Sequence, residues 1–217
     1  MDIVQRLHDR EPANMVYRHD VGVGNQWHCI LLTELGRPEE ALNYCRNALN
    51  MSQDLFAADE KNELLFDSML QNLTKYGEAL LAAGRRAEAN AIFEKLLAGA
   101  GAYAAIATDQ VESQRLLGVA NYKLYELHKS MAADEARSTE ERRASWEEAI
   151  RRLVECHGIF VAGRERGILA QRDADVPEQL QEEVDQTRAT FEKWLHPYLT
   201  SESTNSSDAQ SQEKTGQ

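Results

Sequence analysis

The chain has only four prolines in 217 residues, few aromatic side chains (7%), three cysteines and no apolar run approaching 18 residues. Each shortage excludes something. Without a long apolar run, no segment qualifies as a membrane-spanning helix. The opening residues, MDIVQRLHDREPAN, carry neither a basic n-region nor an apolar h-region, so no secretory leader is read and a cytoplasmic protein is expected. The sequons at Asn72 and Asn205 then carry no meaning. Cys29, Cys45 and Cys156 are an odd number, and two of them sit at predicted core positions, so buried reduced thiols are expected. Basic residues are also short. The 24 Lys and Arg against 36 Asp and Glu leave a net charge of −12, which disfavours phosphate backbones and makes a neutral or basic partner the expectation, with no nucleic acid. Runs of β-branched residues are missing, whereas alanine, leucine, glutamate and arginine dominate up to about residue 199, so an all-α fold is predicted.

What the chain does contain is an internal repeat. Ala41, Tyr44, Cys45, Ala48 and Leu49 recur 48 positions later as Ala89, Ile92, Phe93, Leu96 and Leu97, preceded in both copies by a glycine, Gly36 and Gly84. The i, i+3, i+4, i+7, i+8 spacing puts each set on one face of an α-helix, and such a face needs a neighbour to cover it. Gly36 suits the left-handed residue that ends a helix and Pro38 the first turn of the next. The result is a hairpin over about 15–57. The same pattern 48 residues on predicts a second hairpin over about 62–98, with Gly99-Ala100-Gly101-Ala102 as a flexible joint after it. A third pair is expected over about 105–163, with Trp146, Ala149, Leu153, Cys156 and Phe160 inward and about a dozen residues inserted near 133–143. Pro177 can open a capping helix over 177–195 that buries Leu180, Val184, Thr187, Phe191 and Trp194 and stops at His196-Pro197. Residues 200–217 offer nothing to bury and are expected to be disordered. Residues 1–14 are read as the end of a helix and a connector, whose Ile3, Val4 and Leu7 form an apolar edge available for self-association.

These residues resemble the tetratricopeptide repeat. The resemblance rests on Gly36, Glu40, Ala41, Tyr44, Ala48 and Leu49 in the first copy, and on Gly77, Gly84, Glu88, Ala89, Phe93 and Leu97 in the second. The family's early helix-A tryptophan is replaced by Asn25 and Leu73, its closing proline is missing, and the 48-residue period exceeds the usual length of about 34. The long period, with the W146EEAIRRL segment, is similar to the C-terminal repeat regions of some bacterial serine/threonine protein kinases. The resemblance implies a right-handed α-solenoid of stacked antiparallel helix pairs, each made of a helix A and a helix B. Its job would be to hold a peptide or partner helix in a groove lined by the A helices.

On this chain the A-helix groove face carries Val23, Gln26 and Ile30 in the first copy and Gln71, Thr74 and Glu78 in the second, with His128 extending the row. Amide side chains beside an apolar residue suit an extended peptide. Gln and Glu here replace the basic cluster that a peptide carboxylate would need, so a free C-terminus is not the expected ligand. No catalytic set is legible: Asp20-Val21-Gly22 lacks the other kinase elements, the GxG at Gly22 and Gly24 follows no strand, and the histidines lack ligand spacing, so no metal or cofactor is expected. The arginines of 137–172 are read as a solvated face with i, i+4 pairs, Glu147 with Arg151 and Glu148 with Arg152. The expected function is a non-enzymatic protein-interaction scaffold. A peptide-sensing regulator and an enzyme with an unfamiliar helical site are the alternatives.

Overall fold

The structure, a computed structural model, describes residues 2–107 and 110–213, and the side chains of 3–107 and 110–198. Among the described residues every regular element is helical: α1 Asp2–Arg10, α2 Met15–Glu34, α3 Pro38–Ala58, α4 Glu63–Ala82, α5 Arg86–Ile106, α6 Val111–Ala132, α7 Thr139–Glu165 and α8 Val176–Glu213, with a 3-10 turn at Gln171–Asp173. Each helix packs against the next; α2 also touches α4, and α4 touches α6. No helix is long and apolar enough to cross a membrane among the described residues.

The 48-residue period governs the element boundaries. Helices α2, α4 and α6 begin at 15, 63 and 111, and α3 and α5 begin at 38 and 86. The third A helix therefore starts in register, six residues beyond the expected 105. Asn14 and Asn62 cap α2 and α4: each Oδ1 accepts from the backbone N–H two residues on, and Asn62 also from Leu65. Gly36 and Gly84 take positive φ (71° and 74°) at the helix ends. There Arg37 N–H donates to Leu32 O and Arg85 N–H to Leu80 O, the 6→1 bonds that close a helix C-terminus.

Several expected boundaries are corrected. The Gly99–Ala102 joint is helical, because Gly99 lets Leu70 approach so closely that an added Cβ would lie 2.7 Å from its Cδ2, and Ala100 is fully buried. The inserted dozen residues mostly lengthen α7, which has 27 residues against 21 in α5 and opens on a Ser138–Glu141 capping box. Helix α8 continues through Pro197 instead of ending near Leu195. The proline removes one backbone donor, but Trp146, Phe191, Trp194 and Tyr198 form a run of ring contacts across that turn and hold it. The tail from Thr200, expected to be disordered, continues this helix to Glu213, helix propagation being easier than nucleation. Residues 214–217 of that tail lie outside the described residues.

Two buried clusters hold the molecule. The larger joins α2 to α6 through Leu42, Leu70, Leu80, Phe93, Leu96 and Leu127, and the smaller joins α6, α7 and α8 through Tyr125, Leu153, Phe160 and Leu180. The repeat-face residues fill the larger one, as their spacing requires. Cys29 and Cys45 are buried as expected, but they are joined in a disulfide across the first hairpin, which corrects the expectation of reduced thiols. Facing helix positions brought their sulfurs together, and sequence spacing alone does not show that proximity. Cys156 is free and buried, its thiol pushed up to about 12 by desolvation and the nearby Glu183. The arginine-rich segment is also partly corrected. Arg152 is buried and reaches Glu148 (2.8 Å) and Glu94 of α5 (3.2 Å), while Arg151 pairs with Glu148 and Glu155 instead of Glu147.

Candidate binding groove

Helices α2, α4 and α6 lie side by side, so residues 48 apart on them form rows: Val23, Gln71 and Val119; Gln26, Thr74 and Tyr122; Ile30, Glu78 and Glu126. The sequence-selected residues divide on this frame. Gln71 is exposed and donates from Nε2 to Asp67 Oδ2 at 2.6 Å, and Gln26 and Ile30 are half-buried. Thr74 is buried, and its hydroxyl donates to Leu70 O at 3.0 Å, so it offers nothing to a ligand.

His128 does not extend the row. It lies 48 residues after Leu80, a buried position, and its electrostatic neighbours are Glu148, Arg152 and Glu94 on the B-helix side. Burial pushes its imidazole below the ordinary value of 6.5, Arg152 and Arg151 add to that, and Glu148 and Glu94 oppose it. The 48-residue register alone aligns His128 with the buried Leu80 and not with a groove residue.

Glu78 proves central. Its carboxylate accepts from Lys75 at 2.9 Å and from Lys123 of α6 at 2.9 Å, and Lys123 also donates to Glu126 at 2.8 Å. Lys75 and Glu78 are the 48-residue counterparts of Lys123 and Glu126, so two identical i, i+3 pairs interlock across two helices into a ladder of alternating charge. Burial by itself would raise the Glu78 carboxyl, but Lys123 and Lys75 together outweigh it and hold it below its usual value. Burial would likewise lower Lys123, and Glu126 with Glu78 overturns that and raises it. The face is thus polar but locally neutral, although the chain carries −12.

The rows end against α8. Tyr122 donates to Glu183 Oε2 at 3.2 Å, and the fully buried Tyr125 donates to Glu183 Oε1 at 2.7 Å. Beside this contact is an open cleft of about 350 Å³ whose walls include Val119, Tyr122, Lys123, Phe160, Leu180 and Glu183. Phe160 reaches this place because Gly118 leaves room: a Cβ there would sit 2.4 Å from the ring. Sequence reasoning missed Tyr122, Lys123, Glu126 and Glu183, although the repeated Lys-x-x-Glu at 75 and 123 was legible as a signal. Among the described residues no group of three His, Cys, Asp or Glu side chains is placed to hold a metal ion.

No family model, curated protein or solved structure matches this chain. Any reading of function therefore rests on the residues and their arrangement.

Proposed function

We propose that the chain is a non-enzymatic interaction scaffold, a right-handed tetratricopeptide-like solenoid that binds a peptide or partner helix across the rows of α2, α4 and α6. The observation that carries this reading is the register itself. Three A helices repeat at 48 residues and lie adjacent, so their outward side chains form one continuous, locally neutral face ending in an apolar cleft at α8. Gln26, Ile30, Gln71, Glu78, Tyr122 and Glu126 are the residues assigned to contact the partner. The amide and carboxylate side chains of this face suit main-chain hydrogen bonding, and the cleft by Phe160 and Leu180 suits one apolar anchor side chain. The neutral face and the acidic remainder favour a neutral or basic peptide. The proposed cytoplasmic setting requires the Cys29–Cys45 bond to outlast reducing thiols, which its burial favours because exchange needs access to the sulfur.

The test is a peptide-display selection on the intact chain, followed by fluorescence anisotropy with the selected peptides in free-acid and C-terminally amidated form. Binding should weaken at least tenfold, about 1.4 kcal/mol, in a Gln26→Ala, Gln71→Ala, Glu78→Ala triple variant and should not depend on the free carboxylate. Peptides that bind the triple variant as well as the parent, or that need the free carboxylate, refute the assignment.

A further inference from the structure

Three aromatic rings from three helices line one open cleft of about 460 Å³: Phe56 near the end of α3, Phe66 in the first turn of α4 and Tyr103 in the last turn of α5. The centroids of Phe56 and Phe66 are 4.9 Å apart with the rings tilted by 42°, and Tyr103 meets Phe66 edge-on at 5.4 Å and 82°. Tyr103 is buried and both phenylalanines are half-buried, so the rings form the floor. The exposed Glu60, Lys61 and Glu63 form the rim.

The repeat does not demand these rings. The positions 48 residues before Phe56, Phe66 and Tyr103 hold His8, Arg18 and Leu55, and those 48 residues after Phe56 and Phe66 hold Ala104 and Gln114. Helix α1 packs on α2, and α5 on α6, without an aromatic set at the same place. The rings belong to the α3–α4 junction alone.

The cleft is also negative. On its rim two carboxylates, Glu60 and Glu63, stand against one cation, Lys61. The Tyr103 hydroxyl donates to Gln110 Oε1 at 2.9 Å, and Gln110 Nε2 donates to Glu63 Oε2 at 3.3 Å. Burial holds this hydroxyl above its ordinary value of 10, and Glu63, Asp67 and Glu112 hold it higher still, so the field of the carboxylates reaches the floor. Arg115, paired with Glu112 at 3.0 Å, offsets part of that field.

A negative cleft floored by rings selects among cations. A primary ammonium or a guanidinium carries N–H donors that need acceptors, and ring faces satisfy them poorly. A quaternary ammonium has no donor and is attracted to aromatic faces through their quadrupoles. We propose that the cleft of Phe56, Phe66 and Tyr103 binds a quaternary ammonium group, with Glu60 and Glu63 as the countercharge. The site shares no lining residue with the rows of α2, α4 and α6, and it rests on other observations than the peptide reading.

The test is an NMR titration of the intact, isotopically labelled chain with tetramethylammonium, choline and a blocked trimethyllysine. Binding should saturate, with amide shifts gathered at residues 56–66 and 102–106. Dimethylbutanol, which keeps the shape of choline with a carbon in place of the nitrogen, should bind about tenfold more weakly, because it lacks the charge. Phe56→Leu keeps apolar volume but removes a ring, and should weaken choline about tenfold while leaving the alcohol unchanged. Glu63→Gln, at an exposed position, should weaken choline about threefold at low salt. Tighter binding of choline would mark a free small molecule as the source, and tighter binding of trimethyllysine a methylated peptide; both orders support the site. The proposal is overturned if no quaternary probe saturates, if dimethylbutanol binds as tightly as choline, or if the shifts gather elsewhere. Should Phe56→Leu fail to fold, the alcohol comparison on the parent chain and Glu63→Gln decide the question.

Discussion

Gly77 lies directly beneath the ring of Phe93: a Cβ built on Gly77 would sit 2.2 Å from Phe93 Cε1. The equivalent pair in the first hairpin, 48 residues earlier, is Cys29 and Cys45, joined in the disulfide. One structural position is thus filled by a large ring over glycine in one copy and by two bonded sulfurs in the other. Both solutions bring helix A close to helix B, and both leave no spare volume. Gly77→Ala should therefore destabilise the chain by about 1–3 kcal/mol through overpacking. Phe93→Leu in the same chain should recover part of the loss in urea unfolding, and a neutral Gly77→Ala would contradict the packing.

The disulfide gives a direct chemical readout. Unfolded in urea without reductant, the chain should take up one maleimide, on Cys156, and three after reduction. Cys45→Ser should lower stability by about 3 kcal/mol, the chain-entropy value for a loop of roughly this length. Uptake of three labels before reduction would show that the bond is absent.

Acid should weaken the ladder between α4 and α6. The Glu78 carboxyl is held below its ordinary value of 4.5 in the folded chain, so its contribution is fully present above that value and is lost as pH falls through the folded one. Glu78→Gln should flatten the pH dependence of stability below about 4.5. Glu78 and Lys123 are both mostly buried, and a double-mutant cycle between Glu78→Gln and Lys123→Met should give a coupling near 1 kcal/mol. Zero coupling, or an unchanged acid limb, would remove the ladder from the energetics.

His128 should behave as a core residue. Its folded pKa lies below 6.5, so the neutral imidazole is the stable form; its contribution is present above 6.5 and fades as pH drops through the folded value. NMR titration should place it below an exposed histidine, and Glu148→Gln should lower it further, since Glu148 opposes the shift. His128→Leu, which restores the residue type of Leu32 and Leu80, should remove this pH sensitivity without weakening peptide binding.

The helix pairs were legible because their signals are local. Gly36 and Gly84 end helices through their own backbone freedom, Pro38 suits a first helical turn through its own ring, and the repeat face has a helical period. The candidate site was legible only in part. Gln71 and Glu78 follow from period alone, but Thr74 is buried and His128 stands on the B-helix side, because burial depends on which helices pack against each side of α4 and α6. Tyr122 and Glu183 meet across 61 residues, a distance that no pattern in this chain encodes.

By itself the amino-acid order determined an all-helical chain, its 48-residue register and the inward face of each helix, since these follow from backbone propensity, capping and spacing within a few turns. Only the tertiary structure decided which cysteines meet, which charges interlock between α4 and α6, that the helix would carry on past Pro197, and that Phe56, Phe66 and Tyr103 would line one cleft. Those outcomes depend on which surfaces are brought together, and burial is a property of neighbours that a single helix does not possess.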